Sequence, residues 1–141
     1  MTQTITIEPT PLKLKGRLIE LINKSLSTTD LTERTAVTLN FRDPSYSAEH
    51  GGYHPVEIRF VKSRLGFKVS YITDFCYVGF GGYEELVKDM DFDFDCGIAQ
   101  FANGQVLPIE EAMDIFHIWQ DNFVFYATTI EPYICDITTE E

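Results

Sequence analysis

The residues best suited to chemistry are gathered in one stretch, Asn40 to Phe60, NFRDPSYSAEHGGYHPVEIRF, which holds Arg42, Asp43, Tyr46, Glu49, His50, Tyr53, His54 and Glu57. His50 and His54 are four residues apart. On a helix that spacing brings two imidazoles together, as in zinc proteases. Here Gly51 and Gly52 break a helix, and Pro55 drives His54 toward extended backbone. There is no HExxH, and cysteine ligands would have to come from far along the chain, so no zinc site is expected. A Ser/His/Asp set can be drawn from Ser45 or Ser47, His50 or His54, and Asp43 or Asp74, but no GxSxG accompanies it. The stretch reads better as an ordered connection. Asp43-Pro44 favours a type I turn. Ser47–His50 suits one helical turn ended by a left-handed Gly51. Arg42 is expected to pair with Asp43, Glu57 or Asp74. The chemistry left to this loop is recognition: aromatics beside Arg and His compose binding patches. Arg42, Asp43, Tyr46, His50, Tyr53 and His54 are the candidate partner or ligand patch.

Two other motifs fall short of a site. DFDFDCG, from Asp91, has the alternating acids of a calcium loop, but its sixth and twelfth positions are Cys96 and Ala102 where that loop needs Gly and Glu. Asp91, Asp93 and Asp95 alternate on a strand and share one face, a weak cation-gathering surface at most. GFGGY, Gly79–Tyr83, lacks the following helix and lysine of a phosphate loop. No catalytic residue, cofactor-binding residue or metal ligand is assigned, and no cofactor is expected.

The elements that must position these residues follow from periodicity. Leu12–Leu26 spaces Leu14, Leu18, Leu21, Ile22 and Leu26 as an amphipathic helix, with Gly16 favouring a later start. Val37, Leu39 and Phe41 alternate with polar residues as a strand, as do Val56, Ile58 and Phe60. A third strand runs from Phe67 toward Phe75, after the turn KSRLG. Tyr83–Met90 suggests a helical turn, and FDFDCGIAQF a fourth strand. Pro108 to Tyr126 is the clearest helix, with Ile109, Ala112, Met113, Phe116, Trp119, Phe123 and Tyr126 on its stripe and Glu110 and Glu111 in its first turn. YICDITT is a final strand. Nothing repeats, and nothing resembles a linker. The expectation is one α+β domain over 1–141, an antiparallel β-sheet flanked by N-terminal and C-terminal amphipathic helices. Residues 1–11 are read as a loose tail or an edge strand.

The net charge is −11, unevenly placed. Residues 1–83 carry eight acids and ten bases, whereas residues 84–141 carry fourteen acids and one base, Lys88. Such a field disfavours nucleic acid, whose affinity rests on Lys and Arg neutralising phosphates, and equally an anionic membrane. It suits basic protein partners or a solvated acidic face. Cys76, Cys96 and Cys135 are odd in number and widely spaced, so no disulfide framework is expected; each lies among apolar residues and reads as a small core side chain. With no leader-like start and no apolar run of membrane-spanning length, a cytoplasmic protein is expected.

The block Asn40–Phe60, together with YITDFCYVGFGGYEELVKDMDFDFDCG and IEEAMDIFHIWQDNFVFY, resembles a small bacterial family catalogued as domain-of-unknown-function family 2787. The likeness runs over about residues 12–135. It implies an antiparallel sheet flanked by helices, an arrangement similar to the mitochondrial-glycoprotein fold of an acidic, ring-forming, trimeric matrix protein that binds many partners, a complement component among them. It implies no catalytic residue. The leading expectation is therefore an acidic, non-enzymatic protein that acts through protein contacts, as a homo-oligomer such as a trimer. The alternative is a small-molecule-binding or hydrolytic protein with its site in the Arg42–His54 loop. That alternative requires a deep pocket lined by Arg42, Tyr46, His50, Tyr53 and His54.

Overall fold

The computed structural model describes residues 4–79 and 81–141. Helix α1 (Gly16–Leu26) begins at the glycine, not before it, and buries Leu18, Leu21, Ile22 and Leu26 along one face. Strands β1 (Ala36–Arg42), β2 (Val56–Ser63), β3 (Gly66–Val78), β4 (Glu85–Asp93), β5 (Ile98–Phe101) and β6 (Val106–Pro108) form an antiparallel meander. A 3-10 turn, Ile109–Ala112, leads into α2 (Met113–Phe125), which ends in a π-helical turn, Tyr126–Ile130. The chain then returns as β7 (Ile134–Glu140), antiparallel to β1, and gives the sheet order β6-β5-β4-β3-β2-β1-β7.

The period-two pattern sorts the two faces of the sheet. Val37, Leu39 and Phe41 of β1, with Val56, Ile58 and Phe60 of β2, are buried under the helices. Phe116, Trp119 and Phe123 of α2 complete the same core, which also takes the α1 leucines and Phe92 of β4. Each such side chain, fully buried, contributes about 1.5–3 kcal/mol. The other face is polar and laced with hydrogen bonds. Asn40 and Tyr71 both donate to Glu57, at 3.2 and 2.6 Å, and Thr73 donates to Asp91 at 2.7 Å. Arg59 forks onto Glu140. Burial and the Glu57 bond together push the Tyr71 phenol well above its ordinary pKa.

Several expectations are corrected. Glu85–Met90, expected as a helical turn, is the first part of strand β4. FDFDCGIAQF is not one strand: it is divided by a turn at Phe94–Gly97 between β4 and β5. The three acids therefore have separate employments. Asp91 accepts from Thr73, Asp93 accepts from the Cys96 N–H, and Asp95 accepts from Ser70 Oγ. Cys96 is exposed and Cys76 is half-buried outside the core, whereas the half-buried Cys135 packs against it; all three are free thiols. Of the Thr/Ile alternation at the N-terminus, residues 2 and 3 lie outside the described residues. Ile5 is buried, and Ile7 forms one parallel bridge with Phe67. Two backbone bonds hold it there, Phe67 N–H to Thr6 O and Glu8 N–H to Phe67 O, each 2.8 Å.

Candidate functional site

The loop between β1 and β2 is folded around Asp43. Its carboxylate accepts from Ser45 N–H (2.9 Å), Ser45 Oγ (2.7 Å) and Tyr53 N–H (3.1 Å), which holds it below the usual carboxylate pKa range, the Ser45 hydroxyl contributing most. Tyr46 N–H donates to Asp43 O at 3.0 Å and closes the turn expected at Asp43-Pro44. Ser47 and Gly51 exchange two backbone bonds, so the loop tip is a small antiparallel bridge where a helical turn was expected. Gly52 passes directly over Tyr46: a Cβ there would stand 2.9 Å from Tyr46 Cα, at a φ of +136°. The Tyr46 hydroxyl accepts from Tyr77 N–H at 3.1 Å, and its ring packs on Tyr77 and His54, with centroids 5.1 and 5.6 Å apart. The loop is thus clipped to β3, and His54 is delivered to a fixed place.

That place is beside two carboxylates. His54 Nδ1 is 2.7 Å from Asp74 Oδ1 and 3.7 Å from Asp89 Oδ2. Asp74 projects from the helix-facing side of β3, in register with Val56 and with Met90. In a regular ladder Asp89, next to Met90, would point to the opposite face. The register shifts here: Asp74 pairs with Met90 but Phe75 pairs with Lys88, leaving Asp89 as an extra residue in β4. Such bulges re-aim side chains, and both Asp89 and Met90 face the same space. From the helix layer, the indole N–H of Trp119 donates to Asp74 Oδ2 at 3.0 Å. The Tyr133 hydroxyl donates to His54 O at 3.3 Å.

These groups form the floor of a cleft of about 440 Å³. Ile115, Ile118 and Tyr126 line it from α2 and the following turn, Met90 lines it from β4, and Tyr53 packs on Tyr126 with ring centroids 4.9 Å apart. The Asp74 hydrogen bond raises the His54 pKa above its ordinary value, against the opposing effect of burial; the Asp74 and Asp89 charges act in the same direction as the bond. Burial, then the Asp89 and Asp74 charges, push the Cys76 thiol up. Chemically, the floor offers one imidazole and two carboxylates, and the walls offer apolar contact.

The predicted patch is divided by the structure. Tyr53 and His54 line the cleft, while Asp43 and Tyr46 support them from behind. Arg42 pairs with Asp136 of β7 at 3.1 Å, not with Asp43, Glu57 or Asp74. His50 is exposed, 3.9 Å from Glu49. The deep pocket required of all five loop residues does not form. Asp74, which the sequence offered only as one alternative member of a Ser/His/Asp set, is brought to His54, while Asp89, Trp119, Tyr126 and Tyr133 enter the site without having been anticipated. One signal for it was present: Ile115 and Ile118 are apolar residues off the buried stripe of α2, and both are exposed.

Comparisons place this architecture among known proteins. The family described as "Protein of unknown function (DUF2787)" matches residues 16–138. The hypothetical protein VC0508 from the VSP-II pathogenicity island of Vibrio cholerae is 33% identical, with a TM-score of 0.88 over 97% of this chain and 100% of that one. The conserved hypothetical protein VC1805, from pathogenicity island VPI-2 of Vibrio cholerae, is 37% identical, with a TM-score of 0.81 over 94% of this chain and 100% of that one. VC1805 is described as sharing structural homology with the human P32 protein. No curated protein matches. Matched by the family over most of its length, and by two solved structures over nearly all of it, the chain belongs to the DUF2787 family.

Proposed function

We propose that this protein acts by binding, without a chemical step, and that its partner is another protein. The partner presents a segment with an apolar side chain flanked by Lys or Arg. The observation that carries this reading is the cleft: a preformed space of about 440 Å³ whose α2 wall leaves Ile115 and Ile118 exposed, 40% and 64%. Apolar anchors that fill such pockets dominate the energetics of protein contacts. Charge chooses the partner. Fourteen acids against Lys88 in residues 84–141, with Asp114 exposed beside Ile115, favour a basic segment and repel an acidic one. The structural homology ascribed to VC1805 supports a binding role by analogy of fold alone. Self-association, as a trimer or another closed assembly, is part of the proposal. It is supported by the exposed Tyr77, Val78 and Leu86 on the β3–β4 hairpin. The three free thiols suit a reducing, cytoplasmic setting. Among the described residues no helix is long and apolar enough to cross a membrane.

Peptides of the form basic–leucine–basic and acidic–leucine–acidic, titrated against the protein, test the reading. Binding of the first alone, weakened at high salt and lost in Ile118→Glu, is expected. Equal binding of both, or binding indifferent to Ile118→Glu, would overturn it. Sedimentation velocity tests the assembly, and a strict monomer at every concentration would remove that part.

A further inference from the structure

The floor of the cleft has a chemistry that its apolar walls do not require. Three donor atoms, one each from His54, Asp74 and Asp89, lie within 4.8 Å of one another. They come from three separate segments: the loop after β1, the middle of β3 and the bulge of β4. We propose that His54, Asp74 and Asp89 bind a divalent first-row transition metal, zinc or manganese, with the cleft supplying water to the remaining positions.

Donor type narrows the ion. One imidazole and two carboxylates suit zinc and manganese, whereas magnesium and calcium prefer oxygen throughout. Geometry agrees. Ligands about 2.1 Å from a metal stand roughly 3.0–3.4 Å apart in octahedral or tetrahedral arrangements. The His54 Nδ1 separations from Asp74 Oδ1 and Asp89 Oδ2, 2.7 and 3.7 Å, straddle that range. The third separation, between the Asp74 and Asp89 oxygens, lies within 4.8 Å, so the two carboxylates would draw together as the ion takes the place of the proton between His54 and Asp74.

The surroundings are built for such a use. Metal-binding carboxylates are commonly oriented by a further hydrogen bond on their other oxygen. Trp119, outside the cluster, gives that bond to Asp74 Oδ2 and leaves Oδ1 directed at His54. Asp74 is only 8% exposed and has no Lys or Arg partner among the described residues. Asp89 has none either, since Lys88 turns to Asp91 instead. A plain β4 ladder would have sent Asp89 to the other face of the sheet; the bulge brings it to the cleft. This inference does not rest on the protein-binding reading: the ion sits at the floor, below the apolar walls.

Calorimetric titration of the metal-free full chain with zinc chloride and, separately, manganese chloride tests it, with Trp119 emission read in parallel. Expected are one ion per chain with at least one metal, and a change in the emission of the single tryptophan as it binds. Asp89→Asn is half-exposed and should fold normally; it is expected to weaken binding at least tenfold, as is His54→Gln. Asp93→Asn, on the same strand but outside the cluster, should bind as the parent does. No saturable binding of either metal below 100 μM, roughly the scale of weak adventitious association, would overturn the proposal. So would binding unchanged in Asp89→Asn and His54→Gln, which would assign the ion to other surface acids.

Discussion

The indole N–H of Trp119 donates to the carboxylate of Asp74 at 3.0 Å, joining the helix layer to the sheet at the floor of the cleft. Asp74 is buried and Trp119 is 5% exposed, so the bond is shielded from water. Trp119 also lies nearly parallel to Phe123, with centroids 5.2 Å apart and planes at 12°. Trp119→Phe keeps most of the stack and removes the donor. Loss of a hydrogen bond to a buried charged acceptor should cost about 1–3 kcal/mol. Thermal denaturation should show this as a clear drop in Tm, and a Tm equal to the parent's would mean the bond contributes nothing.

Two polar contacts tie the segment entering α1, Lys13–Lys15, to α2, and they should differ sharply in worth. Gln120 is fully buried: its side-chain oxygen accepts from Lys15 N–H at 3.0 Å and its amide donates to Lys13 O at 3.1 Å. One residue on, Lys15 Nζ meets Asp121 at 2.7 Å in the open. Gln120→Leu strands two backbone groups away from partners and should cost about 2–4 kcal/mol. Lys15→Met, breaking the exposed pair, should cost under about 1 kcal/mol. Urea denaturation of both variants checks the order, which would be reversed if the surface pair were the stronger tie.

Asp43 should govern the acid stability of the loop. Its three hydrogen bonds lower its folded-state pKa. A depressed carboxylate contributes stability that is present above the unfolded pKa and is lost as pH falls through the folded one. Asp43→Ala should therefore lose about 2 kcal/mol at neutral pH, and the gap from the parent should narrow as pH falls below about 4. Denaturation series at pH 7 and at pH 3 measure the two gaps; a gap constant between them would show that the carboxylate charge is not what holds the loop.

Glu131 closes the π-helical turn in the left-handed region, with φ 57° and ψ 48°, its N–H donating to Tyr126 O at 2.8 Å. A side chain there costs roughly 1 kcal/mol against glycine. Glu131→Gly should therefore stabilise the protein by about 0.5–1 kcal/mol. A lower Tm in that variant would show that the side chain has a compensating contact.

Much of the fold was legible because most elements keep a clean period. Val37, Leu39 and Phe41 alternate without exception, and the α2 stripe steps by three and four. Glu85–Met90, the first part of β4, does not read as a strand, for the reason that makes it useful. The bulge at Asp89 puts Leu86, Val87 and Met90 out of alternation, in spacings that imitate a helix. The same irregularity turns Asp89 into the cleft. The site was legible only in part for a different reason. His54 and Tyr53 belong to a loop whose residue types announce chemistry, but their partners lie twenty or more residues away on β3, β4 and α2. Register, not composition, brings His54 to Asp74. Arg42 and His50, equally prominent in the sequence, face Asp136 and solvent.

The last strand has a consequence for how the chain is made. Ala36 pairs with Glu140 and Arg42 with Ile134, so β1 acquires its second neighbour from a strand about a hundred residues further along the chain. During synthesis the meander and α1 can assemble early, since their contacts are close in sequence. The outer edge of β1 then stays open, its N–H and C=O groups ready to pair with any passing strand, until β7 emerges and docks. The nascent chain is thus most prone to aggregation in the interval before β7 docks, and chains broken off ahead of Ile134 would retain that open edge permanently.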